Sequence, residues 1–412
     1  MKEGTDRNSV LFINRVYPPD FAATGQLLAE LATALATDGW CVTVVCARTT
    51  PGAPGEEVTN GVRVARVGGL PFTRESHWMR ALSYLSLYPL LLWRVWRQQP
   101  RADVIVTMTD PPLQLVLGPV LRWLTGARIV HWAQDIYPEL AEELGVVPAG
   151  LVTRALRVVS TWGLKRYDRI VVVGRCMRTR LLERGIAAEA VSVIPNWADA
   201  ELVRPVAPEE NPFRTEHGLD DRFVVMYSGN LGLAHPFEQI LDGAARLATA
   251  LPEALIVFVG VGPRLPWVKQ QVEERGLGNV RFLPPQPKAS LGESLSAADL
   301  HLACMHHNLC GLVVPSKVYG VLAAGRPCLF LGPAESEAAC LIREHRCGEV
   351  LRSADGVTLA ECITQWCGDR DRVEIAGRRA RAAAEGWGLT QAVRAFETVF
   401  QEINCNPSPS GS

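Results

Sequence analysis

The sequence predicts an α/β protein made of two tandem doubly wound, Rossmann-like domains facing a cleft. Three observations carry that expectation. The 412 residues exceed what one core organises and suit two domains of about 200 residues each. Short apolar runs alternate with amphipathic stretches of helical period, which signals βαβ units and a parallel sheet. The alternation stops at a charged stretch with three prolines, 204–222, and then restarts.

In the first half the expected strands are SVLFIN (9–14), WCVTVVCA (40–47) and the runs 62–67, 104–107, 129–132, 170–173 and 191–194. A first helix is expected over 26–38, with Leu27, Leu28, Leu31 and Leu35 on its inner face. After the break come FVVMYSG, LIVFVGVG, VRFLP, LHLAC and CLFLG, each followed by helical sequence. The division that follows is an N-terminal domain over 1–203, a linker over 204–222 and a C-terminal domain over 223–389. A last helix, 390–403, has no strand after it and is expected to return to the first domain, leaving 404–412 as a disordered tail.

Composition narrows the function. Apolar residues make up 48% and charged residues 21%, as in ordinary globular domains. A net charge of −1 gives no electrostatic reason to expect nucleic acid. The balance is uneven: 22 Lys and Arg stand against 19 Asp and Glu up to Val203, leaving 20 against 24 beyond it. Eleven cysteines without a C-x-x-C pair, and no signal-peptide pattern before Val10, point to a reducing, cytoplasmic setting. The cluster CMHHNLC (304–310) is too cramped for a structural zinc site and reads as a strand running into a loop.

In doubly wound sheets ligands lie at the carboxyl ends of the strands, which directs attention to the loops there. Thr24 and Gly25 precede the first helix, and Gly229 and Asn230 follow the run FVVMYS. Gly260, Gly262 and Arg264 follow the next. Such glycines let a backbone approach a phosphate. None forms a full G-x-G-x-x-G, and no acid stands where the ribose of a dinucleotide would need it. The stretch VVPSKVYGVLAAGRPCLF (313–330) is the most informative. Pro315 suits a helix start, Ser316 and Lys317 occupy the first turn, and the expected helix end offers donors and positive potential to an anion. Lys317 adds a full charge, so a sugar-nucleotide diphosphate suits the place. In the first half, Asp135 comes directly after IVHWAQ and Glu139 follows Pro138. Both are candidates for acceptor binding or proton handling, whereas His131, inside its strand, reads as structural.

The motifs YPPDFAATGQ (17–26), QDIYPELAEELG (134–145), VSVIPNWAD (191–199), YSGNLG (227–232), VGVGP (259–263) and PSKVYGVLAAGRP (315–327) occur in an order that resembles a retaining group-1 (family 4) glycosyltransferase of the GT-B fold. The likeness extends over about 8–403 and points to the subgroup that assembles O-antigen, capsule and colanic acid. It implies a nucleotide-sugar donor on the second domain, its diphosphate near Gly229, Lys317 and Pro315, with Gly25 across the cleft. The loop 284–287, with Gln286, would meet the base. A polyprenyl-linked or other glycan acceptor would lie near Asp135 and Glu139. Retention needs no enzymic nucleophile if a donor phosphate oxygen takes the acceptor proton, and neither metal nor cofactor is implied. The chain departs from the family where two glutamates are usual: Leu312 and Gly320 stand there. Asn230 and His235 replace an arginine and a lysine, which shifts phosphate neutralisation to Lys317, with His235 as a partial substitute. A sugar-nucleotide isomerase of the 2-epimerase kind, or a degenerate non-catalytic copy, are the alternatives.

One region lies outside these motifs. Residues 78–96 are rich in leucine and tryptophan, and 74–101 hold five arginines against one acid, Glu75. The run is too short to span a bilayer and Pro89 interrupts it. It suits an interfacial helix pair on anionic lipid as well as a helix packed inside the domain. The first reading places the protein peripherally on the inner face of the plasma membrane.

Overall fold

The computed structural model describes residues 8–405 except 21, 51, 71–76, 99 and 353–354. The chain forms two compact units, one comprising 1–195, Gly311–Val313 and 389–412, the other 196–310 and 314–388.

Unit 1 runs β1 (Ser9–Ile13), α1 (Ala23–Thr37), β2 (Cys41–Ala47), β3 (Glu56–Thr59), β4 (Val62–Val67), α2 (His77–Trp96), β5 (Val104–Thr107), α3 (Leu117–Thr125), β6 (Arg128–Ala133), α4 (Glu139–Glu143), α5 (Leu151–Leu164), β7 (Arg169–Val172), α6 (Arg175–Glu183) and β8 (Val191–Val193). Its sheet has the order β3-β4-β2-β1-β5-β6-β7-β8. All neighbours are parallel except β3 and β4, a hairpin not foreseen from the sequence. Asn60 and Gly61 turn it with φ of 51° and 79°, the left-handed pair that a two-residue hairpin requires. The strand order reverses between β1 and β5, which sets the switch point beside Arg15.

Unit 2 runs α7 (Pro212–Glu216), β9 (Phe223–Ser228), α8 (Phe237–Ala250), β10 (Ala254–Val259), α9 (Leu265–Glu274), β11 (Val280–Leu283), α10 (Leu291–Ser296), β12 (Leu300–Cys304), α11 (Lys317–Ala323), β13 (Cys328–Leu331), α12 (Glu337–His345), β14 (Gly348–Leu351), α13 (Gly356–Cys367) and α14 (Arg370–Gly386). The sheet order is β11-β10-β9-β12-β13-β14, parallel throughout. β10 is buried at every position and β9 at all but Ser228, because helices cover both faces. The edge strand β14 was also missing from the sequence reading. Its residues Gly348 and Glu349 break the apolar run by which the other strands are recognised.

Three expected boundaries change. Helix α1 starts at Ala23, so Thr24 and Gly25 belong to the helix and not to a loop. The stretch expected as a linker is built into unit 2. Asn211 caps α7 by accepting from the Phe213 amide, and the buried Arg214 guanidinium reaches Asp299 at 3.2 Å and donates to the Ala297, Leu219 and Arg222 carbonyls. Charge made this segment look like a tether, whereas a buried arginine with full partners is a tie. The last helix, α15 (Leu389–Cys405), lies in unit 1 against α1. There Phe396 meets Trp132 edge-on at 4.9 Å and Phe400 meets Trp40 at 5.5 Å. Of the tail expected to be disordered, 404 and 405 are helical and 406–412 lie outside the described residues.

Residues 78–96 form one continuous helix rather than a pair, with Pro89 inside it. Leu87, Leu91 and Val95, spaced four apart, are buried against the sheet. Among the described residues no helix is long and apolar enough to cross a membrane.

Candidate functional site

Unit 2 gathers its candidate residues at the carboxyl ends of β9, β10 and β12. After β9 and β10 the two loops lie edge to edge: the Gly229 amide donates to the Val259 carbonyl at 2.9 Å, and the Leu231 amide to the Val261 carbonyl at 2.8 Å. Gly260 and Gly262 make this possible. A Cβ on Gly260 would stand 2.1 Å from the Gly229 carbonyl oxygen, and one on Gly262 would stand 2.3 Å from that of Leu231. Both also have positive φ, 145° and 159°. No side chain fits there.

Lys317 sits below these loops. Its Nζ lies 3.4 Å from the centre of the Tyr227 ring and about as near to Gly229, where an added Cβ would be 3.7 Å away. The ammonium is buried and makes no hydrogen bond among the described residues. Burial lowers its pKa from 10.5 to about 7. The ring face stabilises the cation in part, but a buried ammonium with three unused donors is an unfinished site, and an anion would complete it. The helix itself contributes less than expected. α11 has only seven residues and begins at Lys317, while Pro315 and Ser316 form the turn before it. Gly320 lies within α11, and Gly325 ends it with φ of 62°.

The remaining candidates of unit 2 are placed differently. His235 is not a substitute cation: burial, and then the Lys317 charge, push its pKa down to about 3, while its Nδ1 lies 2.6 Å from the Cys304 carbonyl oxygen. Arg264 is paired with Glu238 and stacked on Trp267 at 3.9 Å. Asn230 is exposed and accepts from the Tyr227 hydroxyl through its carbonyl at 2.9 Å. Gln286 donates to the Pro284 carbonyl at 2.9 Å. Tyr227 was within a quoted motif but was not picked out. Strand alternation puts it in the sheet, and only folding brings Lys317 over it.

Unit 1 offers a second cluster, after β1, β5 and β6. Asp135 lies two residues past the end of β6, pinned by its amide to Thr109 Oγ1 at 3.4 Å and by an antiparallel bridge to Val313. Burial, and then the charge of Asp110, raise its carboxyl pKa from 3.8 to about 7. Asp110 in turn holds Arg15 Nε at 2.8 Å. Neither Asp110 nor Arg15 was foreseen, since they stand 95 residues apart and no local pattern links them. Glu139 is engaged by two arginines, Arg157 at 3.2 Å and Arg184 at 3.5 Å. Gly25 owes its identity to packing, since a Cβ would lie 3.1 Å from the Val16 carbonyl oxygen; Thr24 is partly buried beside it. His131 is structural, as expected: Thr107 Oγ1 bonds both His131 Nδ1 at 3.0 Å and the Tyr167 hydroxyl at 2.8 Å. No group of three or more His, Cys, Asp or Glu that could hold a metal occurs among the described residues.

Both halves of the chain are similar to known proteins. The family described as "Glycosyl transferase 4-like domain" matches residues 23–197, and "Glycosyl transferases group 1" matches 209–383. The "Probable glycosyltransferase WbjE" of Pseudomonas aeruginosa is 30% identical over 273 residues, 65% of this chain and 66% of its own length. WcaI of Escherichia coli K12, named for colanic acid biosynthesis, is 29% identical over 258 residues, 61% of this chain. The match thus spans just under two thirds of either relative, 66% and 62%. Among solved structures, Anabaena Alr3699/HepE in complex with UDP and glucose has a TM-score of 0.75 at 16% identity, covering 96% of this chain and all of that one. Sucrose-phosphate synthase of Thermosynechococcus elongatus has 0.77 at 16% identity, covering 97% of this chain and 99% of its own. With both halves matched in order and both sheets of the expected type, the chain belongs to the group-1 glycosyltransferases of the GT-B fold.

Proposed function

We propose that the protein transfers a sugar from a nucleoside-diphosphate sugar, UDP-linked, to a lipid-linked glycan acceptor in cell-surface polysaccharide assembly. The observation that carries this reading is the Lys317 ammonium, buried over Tyr227 beside Gly229 with no hydrogen-bond partner among the described residues. The donor's diphosphate is the anion that suits it. In the reaction the bond from the sugar C1 to the diphosphate oxygen breaks, charge grows on the leaving oxygen, and Lys317 stabilises it in a water-poor setting where such stabilisation is largest. The acceptor oxygen bonds to C1 on the same face. Its proton passes to a donor phosphate oxygen, so the anomeric configuration is retained and no divalent ion is needed.

In this reading Asp135 belongs to the acceptor side. A carboxyl that titrates near neutrality can hold an acceptor hydroxyl in either protonation state. Glu139 acts as a positioning residue through Arg157 and Arg184. The UDP preference is supported by the solved structural neighbour that binds UDP, and the polysaccharide setting by the colanic acid relative.

The test is direct. The chain should be stabilised thermally by UDP-sugars more than by GDP- or dTDP-sugars, and should release UDP only when a glycan acceptor is added. Formation of a new isomer of the sugar nucleotide incubated alone would instead establish an isomerase. No response to any sugar nucleotide would establish a degenerate copy.

A further inference from the structure

Helix α5 is built inside out. Its buried face carries Thr153, Ser160, Gly163 and Leu164. Its solvent face carries Leu151 at 83% exposure, Val152, Val158 at 69%, Val159 and Trp162. A surface helix ordinarily turns its apolar stripe to the core, so this one presents the stripe to something else. The same holds in part for two neighbours. The outer side of α2 exposes Met79, Leu82, Leu85, Trp93 and Trp96, opposite Leu87, Leu91 and Val95, and α3 exposes Val120 and Trp123, the latter at 82%.

The three helices adjoin. The Tyr88 hydroxyl of α2 donates to the Pro112 carbonyl just before α3. Arg122 Nη1 of α3 donates to the Arg166 carbonyl just after α5 at 2.9 Å. A Cβ on Gly163 of α5 would lie 2.8 Å from Leu115. Together they carry most of the large apolar side chains exposed among the described residues, far more than scattered surface residues would supply.

Charge says what covers this face. None of the residues of α2, α3 and α5 is acidic, and five are arginines: 80, 94, 122, 154 and 157. Three of these are not free for a partner: Arg94 is paired with Glu56 at 2.6 Å, Arg157 is held by Glu142, also at 2.6 Å, and Arg122 is paired with Asp168. Arg154 and Arg97 are exposed, Arg97 standing over the Trp93 ring at 5.1 Å, and Arg166 stands over Trp162 at 3.9 Å. Tryptophans topped by guanidinium groups, on helices that themselves carry no carboxylate, match the boundary between lipid headgroups and acyl chains.

We infer that the outer faces of α2, α3 and α5 form a single docking surface for an anionic lipid bilayer. It uses three helices in place of one anchor. α5 also touches the candidate acceptor loop, because Arg157 binds Glu139 and Glu142 of α4, which follows Asp135. A bilayer held by α5 therefore brings a lipid-borne acceptor to Asp135, and only this last consequence rests on the proposed transfer reaction.

The experiment uses the full chain and no donor. Wild-type protein should co-sediment with phosphatidylcholine vesicles containing about one third phosphatidylglycerol and stay in solution with phosphatidylcholine alone. Brominated lipid should quench its tryptophan fluorescence. Trp123→Ser with Trp162→Ser should abolish sedimentation without lowering the melting temperature, since both side chains are exposed. Arg97→Gln with Arg154→Gln should weaken binding about 30-fold, two basic contacts at about fivefold each. The inference is overturned if wild type ignores anionic vesicles, if the tryptophan pair binds as well as wild type, or if wild type is a dimer that the tryptophan pair dissociates, which would make a second copy the occupant.

Discussion

The Lys317 ammonium stands 3.4 Å from the centre of the Tyr227 ring, and this contact joins the start of α11 to the end of β9. It explains how the chain keeps one unpaired cation inside a parallel sheet's ligand edge. The ring tolerates either protonation state, and a bound diphosphate would select the charged one.

Lys317→Ala should therefore reduce kcat by about 10²-fold, or about 3 kcal/mol, as loss of one preorganised electrostatic donor does. An unchanged turnover would remove the residue from the mechanism.

Protonation gives an independent check. The folded pKa of about 7 lies below the ordinary lysine value of 10.5, so at about pH 8 much of the free protein carries Lys317 neutral. A diphosphate favours the ammonium, so binding a UDP-sugar at that pH should take up a proton, and affinity should fall as pH rises above about 7. Calorimetry in two buffers of different ionisation enthalpy reads the uptake. It should vanish in Lys317→Arg, which stays charged; equal uptake in both proteins would contradict the assignment.

For Asp135 the sign is opposite. Its folded pKa of about 7 lies above the ordinary aspartate value of 3.8. Its contribution to stability is complete below about pH 4 and is lost as pH rises to about 7, because the unfolded chain releases the proton first. Asp135→Asn should thus melt higher than wild type at about pH 8, with a smaller difference at about pH 4, while transfer falls at least tenfold. A melting difference that ignores pH would show that the carboxyl is not held in its acid form.

Gly260→Ala tests the paired loops. The methyl would meet the Gly229 carbonyl oxygen at 2.1 Å at a φ of 145°. Destabilisation of about 2–4 kcal/mol is expected, together with loss of UDP-sugar binding. A variant with wild-type melting would mean that the loops part easily.

Activity should survive EDTA, since Lys317 and not a divalent ion is proposed to face the leaving diphosphate. Loss on chelation, with recovery on adding magnesium or manganese, would overturn that part of the mechanism.

Much of this protein could be read along the chain. Ten or more apolar runs, their helices and the glycines after β9 and β10 depend on neighbours within a few residues, and such local patterns survive in one dimension. Lys317 and Asp135 could be picked out for the same reason, each being a polar residue at a strand-to-helix junction. The charge on 204–222, by contrast, misled, because a sequence shows that Arg214 is cationic but not that Asp299 waits for it. His235 misled likewise, since its neutrality comes from burial and from Lys317 nearby.

Two features were settled by the packing of distant segments. One is the pair Arg15 and Asp110, joined only when β1 and β5 lie side by side. The other is the orientation of α5. Its sequence LVTRALRVVSTWGL has an ordinary helical alternation, and periodicity reveals that a helix has two faces without saying which one turns inward. Leu115 and Tyr137 supply close, specific partners for Gly163 and Ser160, so the small and polar face packs and the apolar face is left outside. That choice belongs to the assembled domain, because the free energy that decides it comes from contacts no local window contains.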